Sequence, residues 1–156
     1  MKLGGRKLSN NNLEIVVIPR NDGDLVFKFR PVLSTESFDK LVKLPDIPII
    51  TDAQGTRSLP DDPEYRKNVL AYINLKSQWM FLDSISATEG LEWETVDIGN
   101  SKTWALYTDE LREAGLTEIE AQMLSRAFEK VNSLNESHLE EARNRFLASL
   151  QGSQGQ

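Results

Sequence analysis

Residues 13–30, LEIVVIPRNDGDLVFKFR, hold two short apolar runs on either side of a polar turn. In the second run the pattern has a period of two: Leu25, Phe27 and Phe29 share one face, and Val26, Lys28 and Arg30 share the other. Asn21, Asp22 and Gly23 tolerate the positive φ angles of a tight turn, so the stretch predicts a β-hairpin. A lone hairpin is not stable in water, so it must pack on helices or pair its edge with another strand. After it, Ser34 or Thr35 is placed to cap a short helix with Phe38, Leu41 and Val42 facing inward.

Four of the six prolines, Pro45, Pro48, Pro60 and Pro63, fall in the next segment. Proline removes a donor and disfavours helix in the residue before it, so residues 44–62 read as an extended proline-rich loop. The loop is either a strap across the core through Ile47, Ile49 and Ile50 or a partner-binding segment. From Pro63 to about Ala87 the period becomes helical, with Asp62 as cap and Pro63 in the first turn. Tyr65, Val69, Tyr72, Ile73, Trp79 and Met80 fall within an arc of roughly 120°, interrupted by Lys76 and Asp83. Leu70, Phe81 and Ile85 lie off that arc, and Leu75 and Leu82 occupy another flank. A helix apolar on several sides needs cover on several sides, from the rest of the chain or from a second chain.

LEWETV, residues 91–96, reads as a short strand, and three helices follow. The first places Trp104, Tyr107 and Leu111 on one face and ends at Gly115. The second opens with the capping-box pair Thr117 and Glu120, and turns Ile119, Met123, Leu124, Ala127, Phe128 and Val131 inward. The third has Asn135 as cap, Leu134 and Leu139 as a hydrophobic staple, and a stripe of Leu139, Ala142, Phe146, Leu147 and Leu150.

The fold class expected is therefore α+β, with an N-terminal hairpin packed on a long central helix and a C-terminal run of three helices. Residues 1–12 read as a flexible arm, 13–150 as a single domain and 151–156 as a disordered tail. The hairpin spans 13–30 of that domain and the helical part 63–150.

At 156 residues the chain has the size of one ordinary domain. It has no cysteine, which removes disulfides, thiolate nucleophiles and sulfur-built zinc sites. Formal net charge is −6, and residues 51–100 hold four Lys and Arg against nine Asp and Glu. Such a surface repels nucleic acid, whose binding rests on phosphate neutralisation. No stretch reaches the roughly 18 apolar residues of a membrane span, and the N-terminus lacks the apolar run of a signal peptide.

Catalytic chemistry finds little footing. His138 is the only histidine and falls in the first turn of a helix beside Glu136 and Glu140, which reads as an exposed helical position. Gly4 and Gly5 have no strand before them, so they make no phosphate loop, and no calcium-loop spacing is present. The pairs Glu92/Glu94 and Asp61/Asp62 fall on connections, where acids are ordinarily solvated. ELREAGLTEIEAQMLSRAF has a helix-turn-helix cadence, but Glu118 and Glu120 would face phosphates. The sequence therefore predicts no enzyme, no metal and no cofactor. What remains is apolar surface, with Tyr72, Trp79, Met80 and Phe81 as the candidate protein-binding residues.

The strings VVIPRNDGDLVFKFRPV, SFDKLVKLPDIP, DPEYRKNVLAYINLKSQWMFLDSI and the run from LEWETV to NRFL together resemble a family of small proteins of tailed bacteriophages. Some members are labelled tail assembly chaperones, which hold the tape-measure protein while the tail tube polymerises. The likeness runs from about Leu13 to Leu147. Lys40–Lys43 departs from the Cys-Pro that ends this stretch in the family, and no known site is touched by that difference. The resemblance implies a non-enzymatic module of tail morphogenesis or a minor virion component, in the host cytoplasm or the virion. Its partner would be a tape-measure or tail protein or a second copy of itself, with no nucleic acid and no membrane. The alternative is an acidic inhibitor of a host nucleic-acid-binding protein, motivated by the charge of residues 51–100.

Overall fold

In the computed structural model, which describes residues 1–133 and 136–152, the chain is α+β. In order it runs β1 (Lys2–Leu3), β2 (Arg6–Lys7), β3 (Glu14–Ile18), β4 (Leu25–Phe29), α1 (Glu36–Leu41), β5 (Ile49–Asp52), β6 (Gly55–Ser58) and α2 (Pro63–Ile85). A 3-10 turn (Ser101–Leu106) then leads into α3 (Tyr107–Glu113), α4 (Glu118–Val131) and α5 (Glu136–Gly152). The strands form three two-stranded antiparallel sheets: β1 with β2, β3 with β4, and β5 with β6. Where the sequence reads one domain over 13–150, the chain divides into two compact units, each assembled from separated stretches.

The first unit comprises residues 1–31, 84–90 and 116–156. Its hairpin pairs Val16 with Phe27 and Ile18 with Leu25, so one face turns Val16, Ile18, Phe27 and Phe29 inward. They pack with the buried Leu124, Ala127, Phe128 and Val131 of α4. In this unit the helix under the hairpin is thus α4. The outer edge of β4 is closed by the last turn of α2 and the segment just after it. The Lys28 N–H donates to Thr88 Oγ1 at 2.8 Å and Thr88 Oγ1 donates back to the Lys28 carbonyl, while the Arg30 N–H donates to the Ser84 carbonyl at 3.0 Å. Ser84, fully buried, donates its hydroxyl to the Arg30 carbonyl at 2.6 Å. An unpaired strand edge loses water without replacement when buried, and these contacts supply the replacement.

The capping box of α4 forms as the sequence predicts: Thr117 Oγ1 accepts from the Glu120 N–H and Glu120 accepts from the Thr117 N–H. Glu120 also takes a two-pronged contact from Arg20, at 2.8 Å for both guanidinium nitrogens, which ties the hairpin turn to the helix. That guanidinium, with the Thr117 N–H, holds the Glu120 carboxyl down at about 2. Residues 1–12, expected as an arm, carry the two-residue ladder of β1 and β2. The expected cap Asn135 and staple residue Leu134 lie outside the described residues, as does the tail from 153 on, while Gln151 and Gly152 complete α5.

The second unit comprises residues 32–83 and 91–115. Asp62 caps α2 by accepting from the Tyr65 N–H at 2.9 Å. An aromatic cluster of Phe38, Trp79 and Trp104, joined by Leu82, fills its core, with ring centroids of Phe38 6.0 Å from each indole. The buried Trp104 N–H is shared between the Asp97 and Ile98 carbonyls at 3.1 and 3.0 Å. Two expectations change here. The proline-rich loop contains the β5–β6 ribbon, because its prolines flank the strands and Gly55 takes a φ of +114° at the turn. LEWETV is not a strand: the N–H groups of Glu94, Thr95 and Val96 all donate to the Glu110 carboxylate, so they are spent on one side chain instead of a ladder. Thr95 adds its hydroxyl to the same carboxylate. Burial alone would raise the Glu110 pKa, and these four donors overcome it to leave the group lowered.

Candidate functional site

The structure separates the four residues expected to bind a partner. Trp79 is 3% exposed and Phe81 4%, the first inside the aromatic cluster and the second stacked on Tyr107 at 4.7 Å. Their assignment as partner contacts is corrected: a side chain already enclosed by its own unit has no apolar area left to bury. Tyr72 and Met80 are half-buried against the same cluster. The Tyr72 ring meets Phe38 edge to face at 5.4 Å, with Lys76 Nζ 5.9 Å from both rings. Burial pushes the Tyr107 hydroxyl above its ordinary pKa. The run WMFL is therefore mostly core, and the cover for the two-sided helix comes in large part from α1 and the 3-10 turn.

Apolar surface stays uncovered in both units, at Leu70 and Ile73 of α2 in the second and along α5 in the first. On α5, Leu139, Phe146 and Leu150 fall within an arc of about 40° at 100° per residue. All three are exposed, Phe146 by 61%, and Leu147 and Ala142 beside them are exposed as well. The stripe the sequence predicts is present, but nothing among the described residues covers it. On α4, Ile119 and Met123 are also exposed, against the expectation that they turn inward. The hairpin's second face carries Ile15, Val17 and Val26, each about half exposed.

A groove runs beside these residues. Ile15 and Val17 of β3 form one wall, and Met123, Arg126, Ala127 and Lys130 of α4 form the floor. It continues past Leu13 to Leu139 and Ala142 of α5. Lys130 reaches Glu14 across it at 3.1 Å. His138 sits where the two stretches meet, half-buried, and its Nδ1 has no hydrogen-bond partner. It is flanked by apolar walls and by Lys130 and Glu14, without a nucleophile or a carboxylate bonded to it.

The other candidates for chemistry hold structural posts. Asp61 pairs with Arg66 at 2.6 Å, Asp62 caps α2, and Glu92 and Glu94 are exposed. Among the described residues no three His, Asp or Glu side chains converge as a metal site requires, and no helix is long and apolar enough to cross a membrane. The sequence signal that marked the open surface was the α5 stripe itself, which reads the same whether a helix is covered or bare. Compared with known proteins, the chain matches no family model, no curated protein and no solved structure.

Proposed function

We propose that this chain is a non-catalytic protein-binding module that engages its partner through the apolar stripe of α5. The setting we propose, from the resemblance of its sequence to small proteins of tailed phages, is tail morphogenesis, as an assembly chaperone or a minor virion component. The partner is then a tape-measure or tail protein, met in the host cytoplasm. The observation that supports this reading is the exposure of Leu139, Phe146, Leu147 and Leu150 on one 17-residue helix. A helix with such a stripe, interrupted by Arg143 and with Glu141 and Arg145 on the far side, gains free energy by burying its apolar residues in a groove or against another helix. Aromatic and aliphatic side chains presented in this way are the usual anchors of protein contacts.

The test is co-expression with the tape-measure and tail proteins of the phage genome that encodes the chain. Phe146→Asp should abolish co-purification without lowering the thermal midpoint. Capture that survives both Phe146→Asp and Leu139→Asp would end the assignment to α5. Failure of the unaltered chain to bind any of those proteins would end the tail-morphogenesis setting.

A further inference from the structure

We propose that the free edge of β3 receives strand β5 from a second copy of the chain, joining two ribbons into one four-stranded sheet. This goes beyond the reading above and uses a different surface.

The phase of the hydrogen bonds carries the inference. Lys28 spends both its N–H and its carbonyl on Thr88, away from β3. Its cross-strand partner is Ile15, so that pair is a non-bonded one, and the alternation of an antiparallel ladder makes Val17 opposite Val26 non-bonded too. Ile15 and Val17 therefore direct their N–H and carbonyl groups to the outer edge of β3, where no described residue takes them up.

The β5–β6 ribbon has the matching phase. The Leu59 N–H donates to the Pro48 carbonyl at 2.8 Å, which makes that the bonded pair just beyond Ile49 opposite Ser58. By the same alternation Ile50 and Asp52 bond to β6, and Ile49 and Thr51 face outward. The Thr51 and Thr56 hydroxyls meet at 3.1 Å, as side chains do in a non-bonded pair.

Each edge thus offers two residues, one apart, with four unpaired backbone groups. Only another extended backbone satisfies that spacing. All four residues, Ile15, Val17, Ile49 and Thr51, are β-branched and uncharged, and none is the lysine or proline that normally blocks edge pairing. Bonded pairs put facing side chains on the same side of a sheet. Joining the edges therefore brings Ile49, 66% exposed, onto the face where Ile15 and Val17 stand open. A two-stranded ribbon is marginal by itself, and all eight residues of β5–β6 are exposed except the half-buried Ile50. Within one chain the ribbons remain separate sheets, so the match is made between copies.

Sedimentation velocity of the full chain over a concentration series tests this, with Val17→Pro and Thr51→Pro as separate variants. Both prolines delete an outward N–H and leave the existing ladders paired. The unaltered chain should associate with rising concentration, and each proline should weaken association by about tenfold or more. Thr51→Pro lies on an exposed ribbon and should leave the thermal midpoint unchanged, which separates lost pairing from lost folding. A species of monomer mass at every concentration would overturn the proposal. So would association that both prolines leave intact, or that Phe146→Asp alone removes. Capture of a tail protein by a strict monomer would overturn it while leaving the α5 reading standing.

Discussion

The two units build their cores from different side chains, and each also leaves apolar ones exposed, Leu70 and Ile73 of α2 among those of the second. In the second, Phe38, Trp79, Leu82 and Trp104 are all but sealed from water, and even the loop after α2 is drawn in by Glu110. In the first, the hairpin has one face on α4, but its other face, the rim of α4 and the whole stripe of α5 stay open. Size of side chain does not decide which apolar residues are buried: Phe146 is exposed, while the smaller Val16, Ile18 and Ala127 are buried. Burial is cooperative: Phe38, Trp79 and Trp104 find each other within the second unit, whereas nothing among the described residues covers the stripe of α5.

That contrast can be broken or sharpened by four measurements. The largest effect belongs to Trp104→Ala, which removes the fully buried indole and should cost about 3–5 kcal/mol in denaturant unfolding. A cost near that of a surface substitution would mean the aromatic cluster does not hold its unit. Next, Thr117→Ala removes one half of the α4 capping box and should cost about 1 kcal/mol. The acid limb comes third. The Glu120 carboxyl is lowered from 4.5 to about 2, so the stability it lends is present above its ordinary pKa and fades as pH falls toward the lowered one. Glu120→Gln should flatten the unfolding midpoint across that window, and an unchanged acid limb would show that the Arg20 contact is idle. The smallest shift is expected for Phe146→Asp, within about 0.5 kcal/mol of the unaltered chain, because the ring has little contact to lose. A large loss there would show that α5 is packed in solution and is not an available surface.

Local signals in the sequence carried much of the architecture. The period-two run at 25–30, the cap at Asp62 with Pro63 behind it, and the Thr117/Glu120 pair all fold as their chemistry dictates, since each depends on neighbours a few residues away. What failed depended on distant partners. LEWETV has the composition of a strand, but Glu110, some fifteen residues on, claims its amides. The ribbon at 49–58 was hidden because its flanking prolines dominate the local pattern. Trp79 and Phe81 read as surface because a helix apolar on several sides looks alike whether its own unit or a partner covers it. The division into units was not legible at all, because each is stitched from segments far apart in the chain.

The aromatic core has an optical consequence. Trp79, Trp93 and Trp104, with Tyr65, Tyr72 and Tyr107, all belong to the second unit, and the first contains phenylalanine as its only aromatic type. Indole emission and most near-ultraviolet absorbance therefore come from one half of the molecule, while far-ultraviolet dichroism samples both. Following the two signals through a single denaturation gives a label-free comparison of how each half loses its order.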